Sequence, residues 1–199
     1  MRSLLSAFAV CTAIAVAACG SSSGAGPGST AGTKAANPNA PESSPAGDIP
    51  DNQAFVAFSP PGTGYSVKVP EGWSRTATGG AVSFTDKLNT VRLEQAKASS
   101  APTVDSVRTS LLPKLATSEK GYKAGTVATV QRTAGRAVRI TYLALGKPDP
   151  VTGKTRIDAV ERYLFFHNGR EAVVTLSGPK GADNVDPWRT ITDSLRWTR

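Results

Sequence analysis

Residues 52–199 predict an α+β domain in which one antiparallel β-sheet is interrupted by one helix and closed by another. Three observations carry this. Apolar and polar residues alternate with period two over most of the segment, the mark of half-buried strands. The connections between successive runs are short, which suits antiparallel neighbours. Only two stretches show a helical stripe, and no strand–helix–strand alternation appears.

The elements follow in order. Tyr65, Val67 and Val69 alternate with Ser66 and Lys68 before Pro70-Glu71-Gly72-Trp73 forces a turn. Val82 and Phe84 then alternate with Ser83 and Thr85, and Val91 and Leu93 with Arg92 and Glu94. Thr103 can cap a helix over 103–119, with Val104, Val107, Leu111 and Leu115 on one face. Pro113 should kink or split that helix, and Gly121 fits its C-terminal cap. Four longer runs follow: "TVATVQR", "RAVRITYLAL", "IDAVERYLFFH" and "EAVVTLSG". Asn168-Gly169, between the last two, is the strongest hairpin signal, since both residues accept the positive φ of a type I′ turn. Asp186-Pro187 reads as an N-cap and first helical residue, with Trp188, Ile191 and Leu195 on one face of a helix over 186–195. Tyr163 to Phe166 is apolar on both faces, which places that strand centrally, covered on each side. Trp73, Phe84, Tyr142 and Trp197 are the expected buried aromatics.

The first 51 residues read differently. Arg2, an apolar segment from Leu4 to Ala18 and a run of small residues have the order of a secretory signal, residues 1–18. About 15 apolar residues fall short of the roughly 20 that span a bilayer as a helix. Val16-Ala17-Ala18-Cys19 resembles the bacterial lipobox. That resemblance implies lipidation of Cys19, cleavage before it, and a membrane anchor on the outer face of the cell membrane. Cys11 lies within the signal, so Cys19 would be the only cysteine of the mature chain and no disulfide is available. Residues 19–51 are rich in Gly, Ser, Ala and Pro without apolar periodicity, the composition of a disordered tether. Residues 52–199 form the single domain.

That domain holds 21 of the chain's 23 Lys and Arg against 12 of its 15 Asp and Glu, a balance of +9. The excess suits an anionic lipid, a glycolipid or an acidic envelope partner, and outside the cytoplasm no nucleic acid is expected. A monomer is expected. Strand parity selects Lys68, Arg92 and Arg139 as a candidate basic binding face.

Chemistry-bearing patterns are sparse. His167 is the only histidine and lacks the sequence context of a nucleophile elbow. Carboxylates are scattered without metal-ligand spacing. Gly62-Thr63-Gly64 and Thr78-Gly79-Gly80 lack the Gly-Lys-Ser/Thr of a phosphate loop. No catalytic residue, metal site or cofactor is therefore assigned, and a non-enzymatic binding module is expected. A hydrolase built on His167 is one alternative reading, and a lipid carrier with an apolar groove is another.

The order of motifs carries a resemblance. Tyr-x-Val-x-Val-Pro-x-Gly-Trp (Tyr65–Trp73), Val-x-Phe (Val82–Phe84), a helix, Gly-Arg-Ala (Gly135–Ala137), a Tyr-rich hairpin and a closing Ser-Leu-Arg-Trp (Ser194–Trp197) follow one another. This resembles the PsbP-like fold, and within it the LpqN-type lipoproteins of actinobacteria, over about residues 54–197. The resemblance implies an α/β/α sandwich, a docking or envelope-assembly role without catalysis, and, for some relatives, glycolipid traffic. It carries no catalytic motif.

Overall fold

The structure, a computed structural model, describes residues 46–149 and 151–198. Seven strands form one antiparallel sheet in the order β3-β4-β5-β9-β8-β7-β6. Here β3 is Ser74–Thr78, β4 Ala81–Asp86, β5 Asn89–Lys97, β6 Lys123–Arg132, β7 Gly135–Leu145, β8 Ile157–His167 and β9 Arg170–Pro179. A second antiparallel sheet, β1-β2-β10, is built from β1 (Phe55–Phe58), β2 (Tyr65–Pro70) and β10 (Arg196–Trp197). The α+β class and strands β4 to β9 are as the alternation predicts; β3, the pairing of β5 with the distant β9, and the second sheet are not foreseen by it.

Each face of the large sheet carries its own core. On the inner face Val82, Phe84, Val91, Leu93, Tyr163, Phe165, Val174 and Leu176 pack beneath β2 (Tyr65, Val67, Val69) and helix α3 (Val185–Asp193), which contributes Trp188 and Ile191. On the outer face Val138, Ile140, Tyr142, Val160 and Leu164 pack beneath a second helical segment through Val107 and Leu115. β8 supplies both layers, Tyr163 and Phe165 to one and Leu164 to the other, as an apolar run on both faces of a central strand requires.

The outer helical segment shows how the chain absorbs Pro113. Thr103 caps α1 (Val104–Ser106) in a reciprocal box with Ser106, and α2 runs Leu112–Ser118. Between them lies a π-helical turn, Val107–Leu111, with the Leu112 N–H donating to the Val107 carbonyl. A proline inside a helix has no N–H and its ring crowds the carbonyl four residues back. Widening the preceding turn removes that conflict, and Pro113 sits at the second position of α2.

Several expectations need correction. α3 begins at Val185 with Asn184, not Asp186, in the cap position, and Pro187 is its third residue. The Asn184 amide is turned inward: its Oδ1 accepts from the Ile49 N–H at 2.8 Å, and its Nδ2 donates to the Gly47 carbonyl at 3.0 Å and to Asn89 Oδ1 at 3.1 Å. Ile49 is buried in the inner core, so packing begins ahead of residue 52; one isolated apolar residue among Pro, Ala and Asp gives no periodic signal. Trp73 and Trp197 are half-buried at the margin of the inner core, while Phe84 and Tyr142 are buried. Trp197 belongs to β10, opposite Tyr65, and not to a helix. Residues 1–45, including Cys19, lie outside the described residues.

Candidate functional site

The helical segment covers the β6-β7-β8 side of the outer face and reaches Val173 at the start of β9. Over β3, β4, β5 and the rest of β9 that face is uncovered, and strand register shows what tiles it. Ser83 pairs with Arg92, Arg92 with Thr175, and Thr175 with Arg162; Thr85 pairs with Thr90 and Thr90 with Ser177. Each of these side chains therefore projects from the outer face, and all are half-buried. The alternation that sends Val82, Phe84, Val91, Leu93, Val174 and Leu176 into the inner core places these polar partners outward.

Beside this hydroxyl-rich floor is a cleft of about 580 Å³, bounded by the β4–β5 turn at Lys87 and Leu88 and by the β7–β8 loop at Gly146–Asp149. Tyr142 and Val160 form the wall toward the helix. Arg156 fixes the deep end, pairing with Asp158 at 2.8 Å and donating from Nη2 to the Leu88 carbonyl at 2.7 Å. It thereby ties the β8 start to the β4–β5 turn. Gly146 leaves room for the Asp158 carboxylate, which a Cβ would meet at 2.6 Å. On the floor, Glu94 holds two guanidinium groups, Arg92 at 3.1 Å and Arg162 at 3.4 Å, and Arg162 also donates to Thr175 Oγ1 at 3.3 Å.

The electrostatics are those of a recognition surface. Burial raises the Asp158 carboxyl above the usual carboxylate range despite Arg156 beside it. Burial is also the main reason the Tyr142 phenol is pushed up to about 12, so it stays a neutral donor. In the rim loop Asp149 is held low by hydrogen bonds, first from the Thr152 backbone and then from its hydroxyl, and so shapes its own turn. Lys87 and Lys147 are exposed on opposite rims. The cleft can thus offer hydroxyls, guanidinium groups and ammonium groups to a polar partner.

The three residues of the predicted basic face are not brought together. Arg92 lies on the floor of the cleft. Arg139 is on the inner face, paired with Glu161 at 3.6 Å, and Lys68 is exposed on the small sheet beside Ser66 and Arg196. Parity holds within a strand, but comparing strands needs register, and register turns Arg92 and Arg139 to opposite faces. Thr90, Thr175, Ser177 and Arg156 escaped sequence reasoning. Their signal was the polar half of each alternating run, unreadable as one surface without the strand order.

His167 is exposed at the far end of β8, and its ring stacks on Trp197 with centroids 5.3 Å apart and planes 25° apart. The Asn168-Gly169 turn beside it has φ of 46° and 75°, as a type I′ hairpin requires. Among the described residues no three His, Cys, Asp or Glu side chains are grouped to share a metal ion.

No protein-family model matches the chain, and no curated protein matches it by sequence. Solved structures do resemble it. The cyanobacterial PsbP (CyanoP) of Synechocystis sp. PCC 6803 aligns at 16% identity with a TM-score of 0.52, over 73% of this chain and 93% of that one. A crystal structure from Bacteroides thetaiotaomicron VPI-5482 aligns at 14% identity and a TM-score of 0.49, covering 72% of this chain. This chain spans about half of that protein, 48% of its length. The Saccharomyces cerevisiae Ran-binding protein Mog1p aligns at 10% identity and a TM-score of 0.49, over 73% of this chain and 96% of its own. At such identities likeness speaks to architecture alone, and on the CyanoP match the domain has a PsbP-like α+β fold.

Proposed function

We propose that this protein is an LpqN-type lipoprotein, held to the outer face of the cell membrane through Cys19, whose domain is a non-enzymatic docking module for an envelope protein. One observation carries the choice of a docking module over a lipid carrier. Both apolar faces of the large sheet are filled by the chain's own elements, and the concave surface left open is floored by Thr90, Arg92, Thr175 and Ser177. An acyl chain laid there would meet the apolar wall but leave the hydroxyl and guanidinium groups of the floor unpaired, whereas a polar protein surface can satisfy them. The sequence around Cys19 supports the anchor, and the charge balance supports an acidic partner.

The reading is tested on the full chain recovered from membranes in mild detergent. Native electrophoresis should show a complex larger than the monomer, and Thr175→Arg, which crowds the cleft floor, should collapse it to the monomer while far-UV circular dichroism shows the variant still folded. Its urea midpoint should fall somewhat, since the new guanidinium lies between Arg92 and Arg162. Organic extraction should recover no lipid beyond the anchor itself. A monomer in both samples, or a stoichiometric second lipid, would replace docking by another role. Cys19→Ser should release the protein from the membrane fraction or leave the precursor uncleaved.

A further inference from the structure

The large sheet ends in β6 on one side and β3 on the other, and the two edges differ. β6 is interrupted by a register shift between Ala124 and Val127. There the Thr126 N–H turns onto Thr141 Oγ1 at 2.8 Å, which spoils the edge for a further strand. β3 has no such device. It pairs with β4 without interruption from Ser74↔Thr85 to Thr78↔Ala81, and all five of its residues are exposed. It contains neither Pro nor Lys. Among the described residues no loop or side chain hydrogen-bonds to its outer edge.

The hairpin fixes which groups are free. Thr78 and Ala81 flank the two-residue Gly79-Gly80 turn and form the hydrogen-bonded pair next to it. Pairs alternate along an antiparallel ladder, so Thr76 and Ser74 also bond toward β4. Arg75 and Ala77 consequently turn their N–H and C=O groups outward. The turn leaves open space around both glycines, so nothing obstructs an approaching chain at that end.

The geometry points to β3 as a docking strand, on which an extended segment of the partner protein pairs with Arg75 and Ala77 and lengthens the sheet by one strand. This deepens the docking-module reading and rests on it. The chemistry of the segment follows from β3. On the outer side it continues the hydroxyl surface of Ser74 and Thr76. On the inner side it meets Arg75, whose guanidinium lies 5.6 Å from the Phe58 ring centroid and has no carboxylate within ion-pair distance among the described residues. An acidic residue on the segment opposite Arg75 completes that group. A second copy of this chain fits worse: two-fold pairing centred on Thr76 sets each Arg75 opposite Ala77 with no carboxylate to meet it, and the two Arg75 side chains diagonal to one another, between molecules of net charge +8.

The test places a photocrosslinking residue in turn at positions 74 to 78 of the full chain in producing cells, with a probe at Thr90 in the cleft as control. Strand pairing predicts that the captured partner residue advances one position per step along a single segment, with Asp or Glu opposite Arg75. Ala77→Pro removes an outward N–H without touching the ladder to β4 and should lower capture roughly tenfold. Arg75→Glu should do the same with an unchanged urea midpoint, which covers the case of a misfolded proline variant. Scattered capture sites, capture of a second copy, or full capture by Arg75→Glu overturns the inference. If the Thr90 probe captures protein while the β3 series does not advance, docking stands and strand pairing falls; if neither captures protein, both fall.

Discussion

Replacing Asn184 by Ala should destabilise the domain by about 2–4 kcal/mol, although the residue touches neither the cleft nor the edge strand. Asn184 is 3% exposed and its amide makes three hydrogen bonds, to Ile49, Gly47 and Asn89. In the alanine variant the Gly47 carbonyl keeps a partner, because Asn89 Nδ2 also donates to it at 3.0 Å. The Ile49 N–H and Asn89 Oδ1 are left unpaired in buried residues, and each such loss costs about 1–3 kcal/mol. Water entering the vacated space keeps the total below the upper sum. Asn184→Asp retains the acceptor for Ile49 but faces a carboxylate toward two oxygens, so it should be no less destabilised at neutral pH. Gly178→Ala approaches the same clamp from β9, since its Cβ would collide with Asn89 Oδ1 and lie 2.9 Å from Asn184 Nδ2. Urea denaturation of the full chain measures all three, and the double variant Asn184→Ala with Gly178→Ala should cost less than the two singles together. A change below about 0.5 kcal/mol for Asn184→Ala would mean the clamp is solvent-replaceable and the Gly47–Ile49 segment is not held by it.

Arg132→Ala should cost about 2 kcal/mol, because the guanidinium bonds Thr192 Oγ1 and Tyr163 OH at 3.1 Å each and so joins α3 to β8; Arg132→Lys should not rescue it. Asp158→Asn should gain stability relative to the native chain as pH rises. A carboxyl whose folded pKa is raised binds its proton more tightly when folded, so the native chain loses stability from the unfolded value of about 3.9 upward and the amide does not; parallel urea titrations from acid to neutral pH read the sign. His167→Ala should leave partner capture unchanged and cost no more than about 1.5 kcal/mol, the worth of its stack on Trp197. Loss of capture in a folded His167→Ala protein would return this residue to the functional site.

The sequence showed what a repeating physical constraint writes into it. β5, β7, β8 and β9 each present one row to a core, so period two is visible in them, and the positive φ at Asn168 and Gly169 was readable from residue type alone. β3, "SRTAT", is exposed on both faces and has no apolar row to betray it. β10 is two residues long and gains its strand only by meeting Tyr65 across the chain. Asp186-Pro187 has the local chemistry of a helix start, yet tertiary hydrogen bonds to Asn184 move the start to Val185. The cleft was hidden for the same reason as the second sheet. Its residues come from runs far apart in sequence, and only the β4-β5-β9-β8 order lays Ser83, Arg92, Thr175 and Arg162 in one row. Lys68, Arg92 and Arg139 share a charge and a strand parity but not a surface.

The docking role is tested most directly by comparing photocrosslinking from the two sides of the domain in living cells. Probes at Thr90 and Ser177 lie on the open outer face, and a probe at Lys68 lies on the small sheet. The result predicted is one protein partner captured from Thr90 and Ser177 and not from Lys68, with capture abolished by Thr175→Arg. Lipid adducts at Thr90, or equal protein capture from all three positions, would contradict it.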